Sequence, residues 1–225
     1  MDTYHTAYDV IQQAIQVYGI LHQHQEMPET LAFLASKNLN GFIEVGSAHG
    51  ASFHCWGAVI PEGPKISVDL NYGFGMGPES EDGWNEVFSG ANVEAATEEK
   101  YETVRKRNNN WRSYFNDVSV VEGNCMAPET VEKVKAVLNG KLVDWVFIDS
   151  WHDFKGMTTD FNNYNQFLSE DGYMGFHDIW QYESTAKFWN LVKSKFHNTI
   201  EINHGTGIGI IPAKEIFNTG IRTLS

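Results

Sequence analysis

Apolar residues along this chain fall into short runs that end in polar or glycine-rich turns, and these runs alternate with stretches of helical spacing. Tyr8, Ile11, Ile15, Tyr18 and Leu21/His22 recur every three or four residues, which predicts an amphipathic first helix. Pro28 suits the first turn of a second helix through Leu31, Phe33 and Leu34, which residues 38–41 stop. The apolar run 42–45 leads into a turn containing Gly46 and Gly50, then a helix over 52–59 and a strand over 65–69. Further on, strands are expected at 118–121, 142–149 and 173–178, with helices at 95–114, 128–138, 160–168 and 184–196. Residues 199–203 and 208–211 flank His204 to Gly207, a hairpin-like connection. Strands that alternate with helices and close on a hairpin imply an α/β fold, with a mostly parallel sheet and an antiparallel edge. With no internal repeat and no linker, residues 1–225 are expected to form a single domain, residues 1–40 being a helical cap.

Residues 71–95 break this rhythm. Their glycines, Pro78 and acids read as a long loop, and a loop of that length inside a compact domain suggests a lid.

Composition narrows the function. A formal net charge of −13 argues against nucleic acid as a partner, because phosphate contacts need clustered cations. The one basic cluster, Arg105 to Arg107, reads as the solvated end of a helix. Two cysteines far apart make no disulfide framework and no cysteine-based zinc site. The first residues lack the basic and apolar segments of a signal peptide, and no apolar run approaches the ~20 residues of a membrane helix, so a soluble, cytoplasmic protein is expected.

Two stretches carry candidate chemistry. In the first, Gly46 and Gly50 allow close backbone approach to a ligand and the helix start offers free N–H groups. Asp69, at the end of the next strand, is placed to accept from both hydroxyls of a ribose, as in a nucleoside-containing cofactor site. A plain βαβ unit with a helix-capping acid has the same pattern. In the second stretch, Asp149, His152 and Asp153 follow one apolar run, and His177 and Asp178 end another. If both runs are central parallel strands, these groups meet in the crevice beyond the strand ends. For His49 a loop position with no role is expected, and for Asp153 and Asp160 capping or solvation.

The order of these motifs resembles the class I S-adenosylmethionine-dependent methyltransferases, in particular the metal-dependent O-methyltransferase branch that includes catechol and macrocin-type enzymes. The resemblance runs from Leu31 to Pro212 and implies a Rossmann-like, doubly wound, seven-stranded sheet. Glu44-Val-Gly-Ser-Ala-His-Gly50 is similar to the first cofactor motif, and Ile66 to Asp69 to the second. The segment Val121-Glu-Gly-Asn-Cys125 is similar to the one that holds adenine. Asp144 to His152 resembles the strand that carries a metal-binding acid and, three positions on, a base. Gly172 to Asp178 resembles the strand with the remaining ligands. The implied cofactor-binding residues are Glu44, Gly46, Ser47, Ala48, Gly50, Ser52, Asp69, Leu70, Gly123, Asn124, Cys125 and Asp149. The implied metal ligands, for magnesium or a similar divalent cation, are Asp149, His177 and Asp178. His152 stands where the branch places a lysine base, and His177 is the second catalytic candidate, binding substrate if it is not a ligand. The expected acceptor is a small hydroxylated molecule, and the aromatic first helix would suit a homodimer contact. Two alternatives remain on the same fold. One is a non-haem iron oxygenase using Asp149, His152 and His177; the other is a cofactor-binding protein without catalysis. A nicotinamide dehydrogenase is disfavoured, because the first turn lacks the GxGxxG spacing.

Overall fold

The computed structural model describes residues 3–19, 21, 23–70 and 98–225; the expected lid at 71–95 lies outside them, as does His22. Seven strands form one sheet in the order β3-β2-β1-β4-β5-β7-β6. They are β1 (Phe42–Val45), β2 (Lys65–Asp69), β3 (Val118–Glu122), β4 (Val143–Ile148), β5 (Leu168–His177), β6 (Ile200–Ile202) and β7 (Ile208–Pro212). The first five are parallel, and β7 runs antiparallel to both β5 and β6. This is the expected Rossmann-like arrangement with its antiparallel C-terminal hairpin.

Eight helices complete the described residues: α1 (Thr3–Tyr18), α2 (Met27–Ala35), α3 (Ala51–Val59), α4 (Glu98–Tyr114), α5 (Pro128–Leu138), α6 (Phe154–Tyr164), α7 (Glu183–Lys195) and α8 (Ala213–Thr219). Alternation along the strands separates two cores. Ile43, Val45, Val146, Ile148 and Phe176 face one, with Phe161, Phe188 and Trp189. Phe42, Trp145 and Phe147 face the other, with Phe53, Trp56 and Trp111. Truncating any of these buried aromatics to alanine would cost about 3–5 kcal/mol, since each fills a space that its neighbours cannot close.

Four elements depart from expectation. The buried stripe of α1 runs through Ala7, Ile11 and Ala14 while Tyr8 is exposed, because the alanines let α1 lie close to α2 and α3. α6 begins at Phe154, six residues before the expected start, because Asp153 Oδ1 accepts from the Gly156 amide at 2.6 Å and caps it. β5 begins at Leu168 and runs through Asp171-Gly172, where a break was expected, and absorbs the extra residues in a register shift against β4 between Val143 and Trp145. α8 had no counterpart in the sequence reading.

The strand order reverses between β1 and β4, so the crevice at their carboxyl ends is the switch point at which ligands bind in this architecture. Among the described residues, no helix is long and apolar enough to cross a membrane.

Candidate active site

The turn after β1 forms one wall of that crevice. Gly46 has φ 85°, and a Cβ there would lie 2.2 Å from the Asp149 carbonyl oxygen, so only glycine lets the two strand ends approach this closely. Asp69 Oδ2, at the end of β2, accepts from the backbone N–H groups of Ser47 at 3.0 Å and Ala48 at 2.9 Å. The acid that was expected to bind ribose therefore also organises the glycine turn.

Glu44 is fully buried beneath the turn, where Trp56 Nε1 donates to its Oε1 at 2.8 Å. Burial pushes its carboxyl up to about 7, with Ser52, Ser47 and Trp56 offsetting part of the rise. Its Oε2 has no hydrogen-bond partner. A buried acceptor of this kind fits a ligand cation, or a water that bridges to one. Ser52 is buried at the start of α3.

At the far side of the glycine turn, the Gly123 amide donates to the Asp69 carbonyl at 3.1 Å, and Asn124 Oδ1 accepts from the Met126 amide at 3.0 Å. Cys125 Sγ lies 3.4 Å from Asp160 Oδ2, which also accepts from Ser150 Oγ at 2.5 Å. Asp160 is thus fully buried, where solvation or a cap was expected, and burial pushes its carboxyl up to about 7. Leu70 is half-buried at the crevice edge.

Asp149, His152, His177 and Asp178 do converge. His152 Nε2 lies 3.1 Å from Asp178 Oδ2 and 3.5 Å from Asp149 Oδ1. One donor atom from each of Asp149, His152 and Asp178 falls within 4.8 Å of the others, a set that could hold a metal ion. His152, rather than the expected His177, completes this group. His177 is buried behind it, its Nδ1 3.0 Å from Asp149 Oδ1 and its Nε2 3.2 Å from Thr206 Oγ1. Both ring nitrogens of His177 are thus engaged within the protein, and it stands outside the set of converging donor atoms. Asp178 has φ 59°, in the left-handed region, which turns the chain sharply at the end of β5. Its Oδ1 is buried 3.2 Å from His177 Nδ1.

Charge follows this geometry. For Asp149, burial alone would raise the carboxyl; the charge of His177 and hydrogen bonds from His152 and His177 outweigh it and hold the group far below the usual range. Burial would lower His177, but Asp149, Asp178 and Glu26 carry it up to about 9. His152 is likewise raised, burial being outweighed by Asp149 and Asp178.

Several participants had no sequence signal. Gln23 Nε2 donates to Asp149 Oδ2, bringing the α1–α2 connection over the crevice. Glu26 Oε1 accepts from the Thr206 and Gly207 amides at 2.7 and 3.1 Å and lies 3.9 Å from His177 Nε2. Tyr182 stacks on His152, their ring centroids 5.7 Å apart. Arg107, expected to be solvated, is buried against the glycine turn; its spacing of four from Trp111 on one helix was the available hint. With Leu21 and Gln23 in place, the cleft between the glycine turn and Asp149 has a volume of only about 20 Å³. A larger hollow of about 530 Å³ lies along Glu102, Arg105, Lys106 and Asn110 of α4 and holds none of the candidate groups.

Fold and site together define an α/β protein with a glycine turn beside a carboxylate–imidazole cluster. The family model for a methyltransferase domain matches residues 43–179, more than half of the chain. The chain belongs to this methyltransferase family. No curated protein matches it significantly. Among solved structures it is similar to a Staphylococcus aureus protein described as a caffeoyl-CoA O-methyltransferase, with a TM-score of 0.56, 16% identity and 90% of each chain covered. It is also similar to MycE, a methyltransferase of the mycinamycin pathway solved with Mg, SAH and mycinamycin VI (TM-score 0.55, 12% identity). That match covers 90% of this chain and 52% of MycE, so the chain spans about half of MycE's length. A calicheamicin methyltransferase matches over 91% of both chains, with a TM-score of 0.55 and 14% identity. The expected likeness to the O-methyltransferase branch is thereby borne out at the level of fold.

Proposed function

We propose that this methyltransferase moves a methyl group from S-adenosylmethionine to a hydroxyl oxygen of a small molecule, assisted by a divalent cation. The observation that carries this reading is the convergence of Asp149, His152 and Asp178 within 4.8 Å at one end of a crevice whose other wall is the glycine turn capped by Asp69. Asp69 receives the donor's ribose, and the orphaned Glu44 Oε2 faces the donor's ammonium directly or through water. The backbone around Asn124 and Cys125 meets the adenine edge. MycE, solved with both Mg and SAH, offers a fold-level parallel.

Asp149 and Asp178 would supply the carboxylates for the cation, magnesium being the hard ion that such ligands suit. When bound there, it would lower the pKa of the acceptor hydroxyl and fix its position. His152, standing beside the cation's carboxylates and not among its ligands, takes the hydroxyl proton at Nε2 as the oxygen attacks the methyl carbon in line with the departing sulfur. The O–CH3 bond forms as the S–CH3 bond breaks, and S-adenosylhomocysteine leaves as a neutral thioether. His177 holds Asp149 from behind.

The test is titration calorimetry with S-adenosylhomocysteine, followed by donor turnover against hydroxylated acceptors with magnesium and with chelator. Binding together with magnesium-stimulated turnover supports the proposal. No binding of the donor product refutes it.

A further inference from the structure

Arg107 comes from a helix whose sequence is mostly polar, yet its side chain is only 2% exposed. From α4 it reaches the glycine turn. Its Nη1 donates to the Ala48 carbonyl at 2.5 Å and lies 3.7 Å from Asp69 Oδ2. One helical turn on, Trp111 Nε1 donates to the Gly50 carbonyl at 3.0 Å, and the guanidinium sits 4.6 Å from the centre of the Trp111 ring.

These contacts close a loop. Asp69 holds the N–H side of Ala48 and Arg107 holds its carbonyl side, while Arg107 also faces the Asp69 carboxylate. Ala48 has φ 38°, a conformation that a non-glycine residue keeps only when its surroundings impose it. A buried guanidinium is costly to desolvate, and among the described residues the Ala48 carbonyl and the Asp69 carboxylate at Nη1 and Asn108 Oδ1, 3.0 Å from Nε, contribute to compensating it. Donors spread over Nε and Nη1 reach acceptors on both sides of the guanidinium, which the single ammonium of lysine does poorly.

We infer that Arg107 is a positioning residue for the nucleoside: it sets Asp69 and the Ala48 peptide in the arrangement that receives the ribose hydroxyls. Discrimination between ribose and deoxyribose therefore depends on α4. This inference rests on the donor reading proposed above.

The experiment measures the affinities of S-adenosylhomocysteine and its 2′-deoxy counterpart by calorimetry on the full chain, for wild type, R107Q, R107K and W111F. Wild type should prefer the ribose form about tenfold or more, the scale of one hydrogen bond to a charged group. R107Q should lose about tenfold in affinity for the ribose form and bind the two ligands nearly alike, with R107K intermediate. W111F, which keeps the Arg107–Asp69 pair, should weaken both ligands in parallel and retain the preference. Circular dichroism establishes that each variant is folded, and if R107Q is not, R107K carries the comparison. A folded R107Q, or R107K in its place, with wild-type preference overturns the inference, whether or not its affinity falls. Wild type that binds neither ligand overturns the donor reading, and the inference with it.

Discussion

His177 Nδ1 lies 3.0 Å from Asp149 Oδ1, so one hydrogen bond ties the end of β5 to the residue that follows β4. The tie sets both partners. The imidazole is carried up to about 9, and the carboxyl is held far below its usual range. In Asp149→Asn the imidazole loses its nearest carboxylate, so its titration by NMR should move down towards the ordinary histidine value near 6.5. The same variant should lose magnesium stimulation of methyl transfer, with turnover down about a hundredfold or more, the scale of a lost charge-stabilising group.

His152→Ala should lower kcat by roughly 10²–10⁴, the usual contribution of a general base, and leave the affinity for S-adenosylhomocysteine unchanged. His152 is raised above its ordinary value by Asp149 and Asp178, which outweigh burial. In the metal-free protein its proton-accepting form therefore accumulates only above ordinary histidine pH, and its titration by NMR should have a midpoint above about 6.5. Unchanged turnover in the variant would remove His152 from the base role.

The stability of the metal-free protein should itself depend on pH. His177 has a folded pKa of about 9 against about 6.5 when unfolded, so its contribution is complete below 6.5 and is lost as pH rises through 9. Calorimetric scans should show Tm falling across that interval. His177→Gln should flatten the fall.

Asp160 moves stability in the same direction with pH, through a growing penalty rather than a lost contribution. As an acid whose folded pKa is raised to about 7, it destabilises the fold progressively as pH rises from about 4 towards 7. Asp160→Asn keeps an acceptor for Ser150 and Cys125 and removes the buried charge. Its Tm should exceed that of wild type by a few degrees at pH 8, and by less at pH 5. An equal gain at both values would show that the carboxyl is not the cause.

The Gln23–Asp149 bond holds the α1–α2 connection over a cleft of about 20 Å³. Ligand pockets usually offer about 300–1,000 Å³, so a nucleoside cofactor must displace this contact. Gln23→Ala should therefore bind S-adenosylhomocysteine several-fold more tightly by calorimetry. Weaker binding would instead make Gln23 a contact to the bound ligand.

Legibility from sequence followed the range of the interactions involved. Strands such as Phe42–Val45 and Lys65–Asp69 were readable because burial on both faces of a central strand favours short stretches rich in Phe, Ile and Val, interrupted here by Glu44 and Ser67, and nearby glycines mark the turns. At Asp171-Gly172 the expected break is replaced by an irregularity within β5, since neither residue has a partner in register on β4 or β7 and regular pairing resumes at Tyr173. The start of α6 was missed because a cap is set by one side chain, Asp153, whose partner is known only once the backbone turns.

The candidate site divides in the same way. Alternating strands and helices, with acids or histidines closing the apolar runs, determined by themselves that Asp69, Asp149, His152, His177 and Asp178 would gather at one sheet edge, because parallel strands all present their carboxyl ends on the same side. Only the tertiary structure decided which of them face one another. It grouped His152 with the two aspartates and set His177 behind them; it also brought Gln23, Glu26 and Arg107 in from distant elements. Sequence spacing fixes where a side chain sits along its own element, whereas those contacts depend on how α1, α2 and α4 pack across the sheet, and no local pattern in the chain encodes that packing.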